Sequence, residues 1–476
     1  MSIHLRDGDL HRIDLRTRMP FRYGIATMTS TPHLFLRLRV EVDGETWTGI
    51  AADHLPPKWF TKDPHRAVEE EIAEMLRVIA HALRSAIGLR GASAFDVWRQ
   101  LWDAQAAWGK EQGLPPLLTH FGTSLVERAL IEAICRKEGR PFARLLRENH
   151  FDIRLGDIHP SLEGKAPADL LPEQAPAAMI IRHTIGLADP LTDADIPAVE
   201  RLDDGLPQSL AACTQAYGLR QFKIKVSGEL ARDRERLPRI ARVLAAHALP
   251  DYRFSFDGNE QFHSFADFRA FWDELSATAA LQEFFGHLRF IEQPLHRDVA
   301  LRPEVGARMR ERPLLQRIII DESDGDLDSL PRALELGYAG TSHKNCKGVF
   351  KGIANACLIA QRRRAEPNRP LLMTGEDLAN IGPVALLQDL AVCAALGLQG
   401  IERNGHHYFA GLSMFPPTVQ RQVLTAHGDL YHPSRAGWPT LHIQEGAVQI
   451  GSVVAAPFGV SFELEVEQFS LVADCH

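Results

Sequence analysis

Eight short apolar runs with helical segments in the gaps constrain this chain more than any other feature. They are MIIRHTIGL from about residue 178, then QFKIKV, YRFSFD, LRFIEQ, RIIIDE, GTSHK, RPLLMTG and QGIER. Segments such as ELARDRERLPRIARVLAAHAL and GVFKGIANACLIAQRRR lie between them, with apolar residues at helical spacing. Strands linked through helices run parallel. Eight such units over about 220 residues fit a (β/α)8 barrel better than an open doubly wound sheet. In such barrels chemistry sits at the C-terminal ends of the strands, so the last residues of each run carry the functional information.

QFKIKV places Phe222, Ile224 and Val226 on one face and Lys223 and Lys225 on the other. Lysine is rarely buried unless paired or used, and an isolated Lys-x-Lys ordinarily marks a solvated edge. The next three strands end in FDGNE, FIEQP and IIIDES, giving Asp257, Glu292 and Asp321, one acid per consecutive strand. Any one of them alone reads as a helix cap. Three converging carboxylates repel, and a hard divalent cation removes that cost. Oxygen ligation without His or Cys favours Mg²⁺ over Zn²⁺. Lys344 ends the sixth strand, across the mouth from Lys223 and Lys225. Only one of His343 and Lys344 can point inward, and the strand register leaves open which. A cation flanked by lysines suits proton transfer on either face of a carbon next to a carboxylate, through an enediolate. Lys223 and the cation would both push Lys225 toward a usable base.

Residues 1–150 read as an α+β domain. HLFLRLRVEVDGETWTGIAA alternates around a turn at Asp43-Gly44, and two amphipathic stretches follow, the second ended by Gly139. Residues 151–430 hold the barrel. Residues 431–476 read as β-rich, too short for a domain, and are expected to pack back on the N-terminal part.

The set KIK, FDGN, IEQP, IDES and the lysine of SHKNCKG resembles the enolase superfamily, nearest its muconate lactonizing enzyme-like group within the mandelate racemase/muconate lactonizing enzyme family. The likeness covers nearly the whole chain, including the MPFRYGI opening of the first domain. It implies a modified (β/α)8 TIM-like barrel under an α+β capping domain that the C-terminal segment completes. It implies Mg²⁺ on Asp257, Glu292 and Asp321, with Lys225 and Lys344 as opposed acid/bases. Lys223 would tune Lys225 and polarise the substrate carboxylate, and Asn259 would support the ligands. The mandelate racemase group is similar but uses a histidine at the seventh strand. LLMTGEDLAN has Glu376 and Asp377 there instead. Glu376 could orient substrate or serve a proton path, or simply begin a helix.

The reaction implied is racemisation or epimerisation, cycloisomerisation or elimination. Sugar-acid dehydration is the alternative within the superfamily, and a non-catalytic carboxylate-binding barrel the alternative outside it. A metal-dependent hydrolase is disfavoured because no His-x-His ends a strand. Glu322, Glu402 and Asn404 are further supporting or specificity candidates. Tyr23, His54, Arg22, Lys58 and Trp59 fall in two cap loops expected over the substrate. His183 or Thr184 could join the pocket, and His406 and His407 read as loop or substrate contacts rather than ligands. A small-molecule carboxylate is the expected partner, in a homo-oligomer. A net charge of −8, a pI near 6.2 and the lack of a basic run speak against nucleic acid. No window has the roughly 18 apolar residues of a membrane helix, and the charged start has no signal-peptide core. Six scattered cysteines without C-x-x-C point to a reduced, cytoplasmic setting.

Overall fold

The computed structural model describes residues 1–472; Cys475 lies outside them. The chain opens with an antiparallel meander, β1 (Ile3–Tyr23), β2 (Ala26–Val42) and β3 (Glu45–His54). Asp43 and Gly44 between β2 and β3 both have positive φ, 52° and 87°. That is the two-residue turn whose twist matches a hairpin, and glycine takes it without strain. Three helices cover the sheet: α1 (Val68–Ala86), α2 (Ala94–Glu111) and α3 (Pro116–Glu138). α3 is buried around most of its circumference, and Gly139 at φ 58° stops it.

The barrel strands are Ala178–Ile185, Gln221–Lys225, Arg253–Asp257, Leu288–Glu292, Ile318–Ile320, Gly340–His343, Leu372–Gly375 and Gly400–Arg403. They are called the first to eighth barrel strands below. Each pairs in parallel with the next, and the eighth pairs with the first, Ile401 opposite Ile181, so the sheet closes. The fold is a modified (β/α)8 barrel with an N-terminal capping domain. Phe222, Ile224, Phe254 and Phe256 face outward into one apolar cluster with Leu237, Ile240 and Trp272 of the surrounding helices. The alternation that buries these residues outside leaves Lys223 and Lys225 inside.

The C-terminal stretch differs from its β-rich reading. It holds the helix Gly451–Ala455 and only short strands. In VSFELEVEQF, Val460, Leu464, Val466 and Phe469 are buried, yet no residue of it joins a ladder. Alternation records one-sided burial, which an extended coil over a core also satisfies. Pairing begins at Ser470–Leu471, antiparallel to β1 at Arg12 and His11, where Phe469 stacks on Phe35. Ala447–Gln449 adds antiparallel to the first barrel strand. The segment thus touches both cap and barrel.

Candidate active site

Strand register assembles the mouth of the barrel. Lys225 stands opposite Asp257, and Asp257 opposite Glu292. Lys223 and Lys225 are 1% and 7% exposed, so the lysine face is buried and not a solvated edge. Lys223 Nζ lies 2.8 Å from Glu292, 2.9 Å from Glu376, 2.8 Å from Glu402 and 2.9 Å from Asp257. An ammonium has three protons, so four carboxylates cannot all be served. Its hydrogen bonds go to the three glutamates, and Lys225 donates to Asp257 Oδ2 at 2.5 Å.

Lys344, on the far side, donates to Asp321 Oδ1 at 2.6 Å and to Glu376 Oε2 at 2.7 Å. His343 points away from the barrel interior, toward Asn345 and the helix Val349–Ala365. A Cβ on Gly352 of that helix would stand 2.4 Å from the His343 ring, so glycine there makes room for it. Lys347 donates to Asp321 Oδ1 at 2.7 Å, and Ser342 Oγ bonds the same oxygen. Arg182 of the first strand reaches Glu376 Oε1 at 2.5 Å, and Thr184 donates to Glu402 Oε1 at 2.6 Å. Five carboxylates (Asp257, Glu292, Asp321, Glu376, Glu402) therefore face five cations (Lys223, Lys225, Lys344, Lys347, Arg182).

The balance is uneven within the cluster. Burial alone would lower Lys223 and Lys344, but the surrounding carboxylates outweigh it and hold both well above the ordinary lysine value. Burial pushes against ionised Glu376, yet Lys223, Lys344 and Arg182 hold it well below the usual carboxylate range. Glu292 goes the other way, raised by burial and by the charge of Glu376, and its Oε2 makes no hydrogen bond. Glu292, Asp321 and Glu376 each bring an oxygen within 4.8 Å of the other two. The donors are all hard oxygens and one is unsatisfied, so these residues fit a hard divalent cation. This grouping has Glu376 where the sequence pattern has Asp257. The Asp257 carboxylate is spent on Lys225 and on the Asn259 backbone N–H at 2.8 Å.

A cavity of about 50 Å³ lies between barrel and cap. Lys223, Lys225, Lys344, Asp257, Asn259, Asp321, Asp377, Glu402 and Asn404 line it on the barrel side, and Phe21, Tyr23, Met28, Pro56 and Trp59 on the cap side. The Lys344 ammonium lies over the Trp59 ring, 5.3 Å from its centre. Asn404 donates to Glu402 Oε1 at 3.1 Å. Tyr23 is tied by its hydroxyl to Pro57 O at 2.8 Å.

Other candidates lie elsewhere. His54 does not reach the cavity: it is buried in the seam between cap and barrel, beside His33 and Phe409, its Nδ1 3.3 Å from Leu378 O. It is the last residue of β3 and is fully buried. Lys58 is committed to Glu71 at 3.0 Å, and Arg22 is exposed on another face. Glu322 is buried off the cavity with neither oxygen bonded, and burial followed by the Asp321 charge raises it to about 7. His183, His406 and His407 lie behind the first strand, because Arg182 and Thr184 take its inner face. Arg182 and Lys347 were missed by sequence reasoning. The inward period of the first strand and the Lys-x-x-Lys spacing after the sixth were the available signals.

No protein-family model matches the chain, and no curated protein matches it. Solved structures do. Muconate lactonizing enzyme from Pseudomonas fluorescens, complexed with muconolactone, superposes with a TM-score of 0.58 at 18% identity, over 98% of this chain and 99% of that one. Dipeptide epimerase from Enterococcus faecalis, complexed with Mg and L-Leu-L-Tyr, gives 0.59 at 14% identity, over 96% and 100%. 2-Chloromuconate cycloisomerase from Rhodococcus opacus gives 0.59 at 17% identity, over 98% and 99%. These three structures share the fold over nearly the whole chain.

Proposed function

We propose that this chain is an enolase-superfamily enzyme that removes the proton alpha to a carboxylate, with Mg²⁺ as cofactor. One observation carries the reading: Lys225 and Lys344 line the same cavity, each held by a different strand-end acid, Asp257 or Asp321. Two lysines approaching one carbon from different sides can deliver and remove its proton on either face. Glu292 and Asp321 are the ligands favoured by both sequence pattern and geometry, with Asp257 or Glu376 as the third. When bound, the ion supplies Lewis-acid stabilisation of the charge that develops on the substrate carboxylate.

Lys223 is not the base. Its protons are committed to three glutamates, which hold it charged. It lines the cavity and would act there as a fixed positive charge beside the substrate carboxylate rather than as a proton donor. Glu376 bridges Lys223 and Lys344 and so links the two sides of the mouth. The present cavity is far smaller than the roughly 300–1,000 Å³ of ordinary ligand pockets, so the loops carrying Phe21 to Met28 and Pro56 to Trp59 must lift to admit substrate. Their apolar lining suits an apolar substituent over a polyhydroxylated one. That favours racemisation, epimerisation or cycloisomerisation over sugar-acid dehydration.

A second reading rests on the five-to-five charge balance, which lets the barrel hold a carboxylate ligand without turnover. One experiment separates the two. The Mg²⁺-loaded protein is incubated in D₂O with pools of N-acyl amino acids, dipeptides, lactones and sugar acids, and deuterium uptake is read by mass spectrometry. Uptake alpha to a carboxylate, abolished in Lys225→Ala or Lys344→Ala, supports the enzyme. Saturable binding of a pool member with no uptake supports the binding barrel.

A further inference from the structure

A second set of ligand-type side chains lies outside the barrel wall. His183 points outward from the first strand and meets Cys213, on the helix Leu210–Tyr217, and His407, on the short helix Gly405–Tyr408 after the eighth strand. All three are buried, and one ligand atom of each lies within 4.8 Å of the others. Cys213 Sγ and His407 Nδ1 are 3.5 Å apart. On a tetrahedral zinc ion, with Zn–S about 2.3 Å and Zn–N about 2.0–2.1 Å, such a pair stands roughly 3.5 Å apart. That pair already has the spacing, and His183 must close by no more than roughly 1.5 Å.

The surroundings match those of a metal centre. His407 Nε2 lies 3.9 Å from Asp189 Oδ2, and His183 Nδ1 lies 3.1 Å from His406 Nε2. Ligating imidazoles characteristically turn their other nitrogen to a carboxylate or another acceptor, which fixes the tautomer. Asp189 is itself held by Tyr408 Oη at 2.7 Å and by the Gly186 N–H at 2.6 Å. His406 is buried, and its Nδ1 has no partner. Burial keeps His183 and His407 neutral, with lone pairs to offer, and keeps Cys213 a thiol until a cation displaces its proton.

We propose that His183, Cys213 and His407 form a structural site for a borderline transition-metal ion, zinc by chemical class. Two imidazoles and a thiolate select such an ion over magnesium. The ion pins the helix Leu210–Tyr217 and the loop after the eighth strand to the first strand. That loop also carries Asn404, which lines the cavity, and the His407 carbonyl accepts from Arg18 of β1 at 3.1 Å. The site therefore fixes one wall of the mouth and one cap contact, and it is independent of the chemistry proposed there.

Cobalt tests it. The full chain is produced in cobalt-supplemented medium, and its metal content and absorption spectrum are measured. The expected result is one tightly held equivalent per chain with a thiolate-to-cobalt charge-transfer band. Cys213→Ser should lose both the band and that equivalent, while Glu292→Gln keeps them. Cobalt held only by the carboxylates at the mouth gives no thiolate band, and that spectrum from the wild-type chain overturns the proposal. So does a band that survives in Cys213→Ser. If Cys213→Ser fails to fold, the wild-type spectrum decides, with His183→Gln as the second variant expected to lose the equivalent.

Discussion

Two buried ionic clusters sit at the same end of this barrel, one built on four lysines and Arg182, the other on arginines alone. At the mouth, carboxylates meet Lys223, Lys225, Lys344 and Lys347, beside a cavity. At the seam between cap and barrel, Asp53, Asp377 and Asp389 meet Arg128 and Arg403. Arg128 gives one nitrogen to Asp53 at 2.8 Å and another to Ala52 O at 2.9 Å. Arg403 joins Asp377 and the Asn380 carbonyl. An arginine stays charged and fixes geometry with its planar fork, whereas a lysine can release its proton once its partners are neutralised. Buried charge alone therefore does not mark a reactive site. The combination of lysine, an unbonded carboxylate oxygen and a cavity does.

Four experiments press on that difference. The largest effect is expected at the mouth: Lys225→Ala or Lys344→Ala should lower proton exchange by about 10²–10⁴-fold, with the thermal midpoint moved far less than turnover. Loss of fold in step with loss of exchange would make the lysines structural like the seam arginines. Removing divalent ions with a chelator should abolish exchange and restore it on Mg²⁺ addition. The five-to-five balance keeps the barrel folded meanwhile, as circular dichroism should show.

At the seam the expectation reverses. Arg128→Met should destabilise the chain by about 3–5 kcal/mol, because it strands Asp53, yet leave exchange per folded molecule within a few-fold of wild type. Denaturant unfolding and active-site titration measure the two quantities.

The smallest effect concerns protons. Burial, then Asp377 and Asp53, raise the Asp389 carboxyl well above its ordinary value. A raised acid binds its proton more tightly folded than unfolded. Its contribution is full below the unfolded pKa of about 4 and is lost as pH rises toward the folded one. Asp389→Asn should thus gain stability over wild type as pH climbs above about 4, and a flat difference from pH 4 to 8 would show that Asp389 ionises freely.

Much of the mouth was legible before the structure because a strand's period is two and its last residue is marked by the turn that follows. Asp257, Glu292 and Asp321 follow apolar runs, and Lys223 and Lys225 alternate with Phe222 and Ile224. What was not legible is which acid meets which cation. Glu376 looked like a helix-start acid and is the bridge between Lys223 and Lys344. Arg182 follows Met179, Ile180 and Ile181, and nothing local says that the acid after the seventh strand will lie within its reach. His54 lies in a stretch expected over the substrate, but its orientation depends on how the cap settles on Leu378.

By itself the sequence determined the number of barrel strands, the inward and outward faces of QFKIKV, the Asp43-Gly44 turn and the acid or lysine near the ends of the second to sixth barrel strands. These follow from repeats of two and 3.6 residues and from backbone preferences that act within a few positions. The tertiary structure alone decided that residues 223, 292, 376 and 402 meet at one ammonium, and that residues 183, 213 and 407 meet behind the wall. Closing the eighth strand on the first sets those distances, and ring closure is a property of the whole sheet that no local stretch encodes.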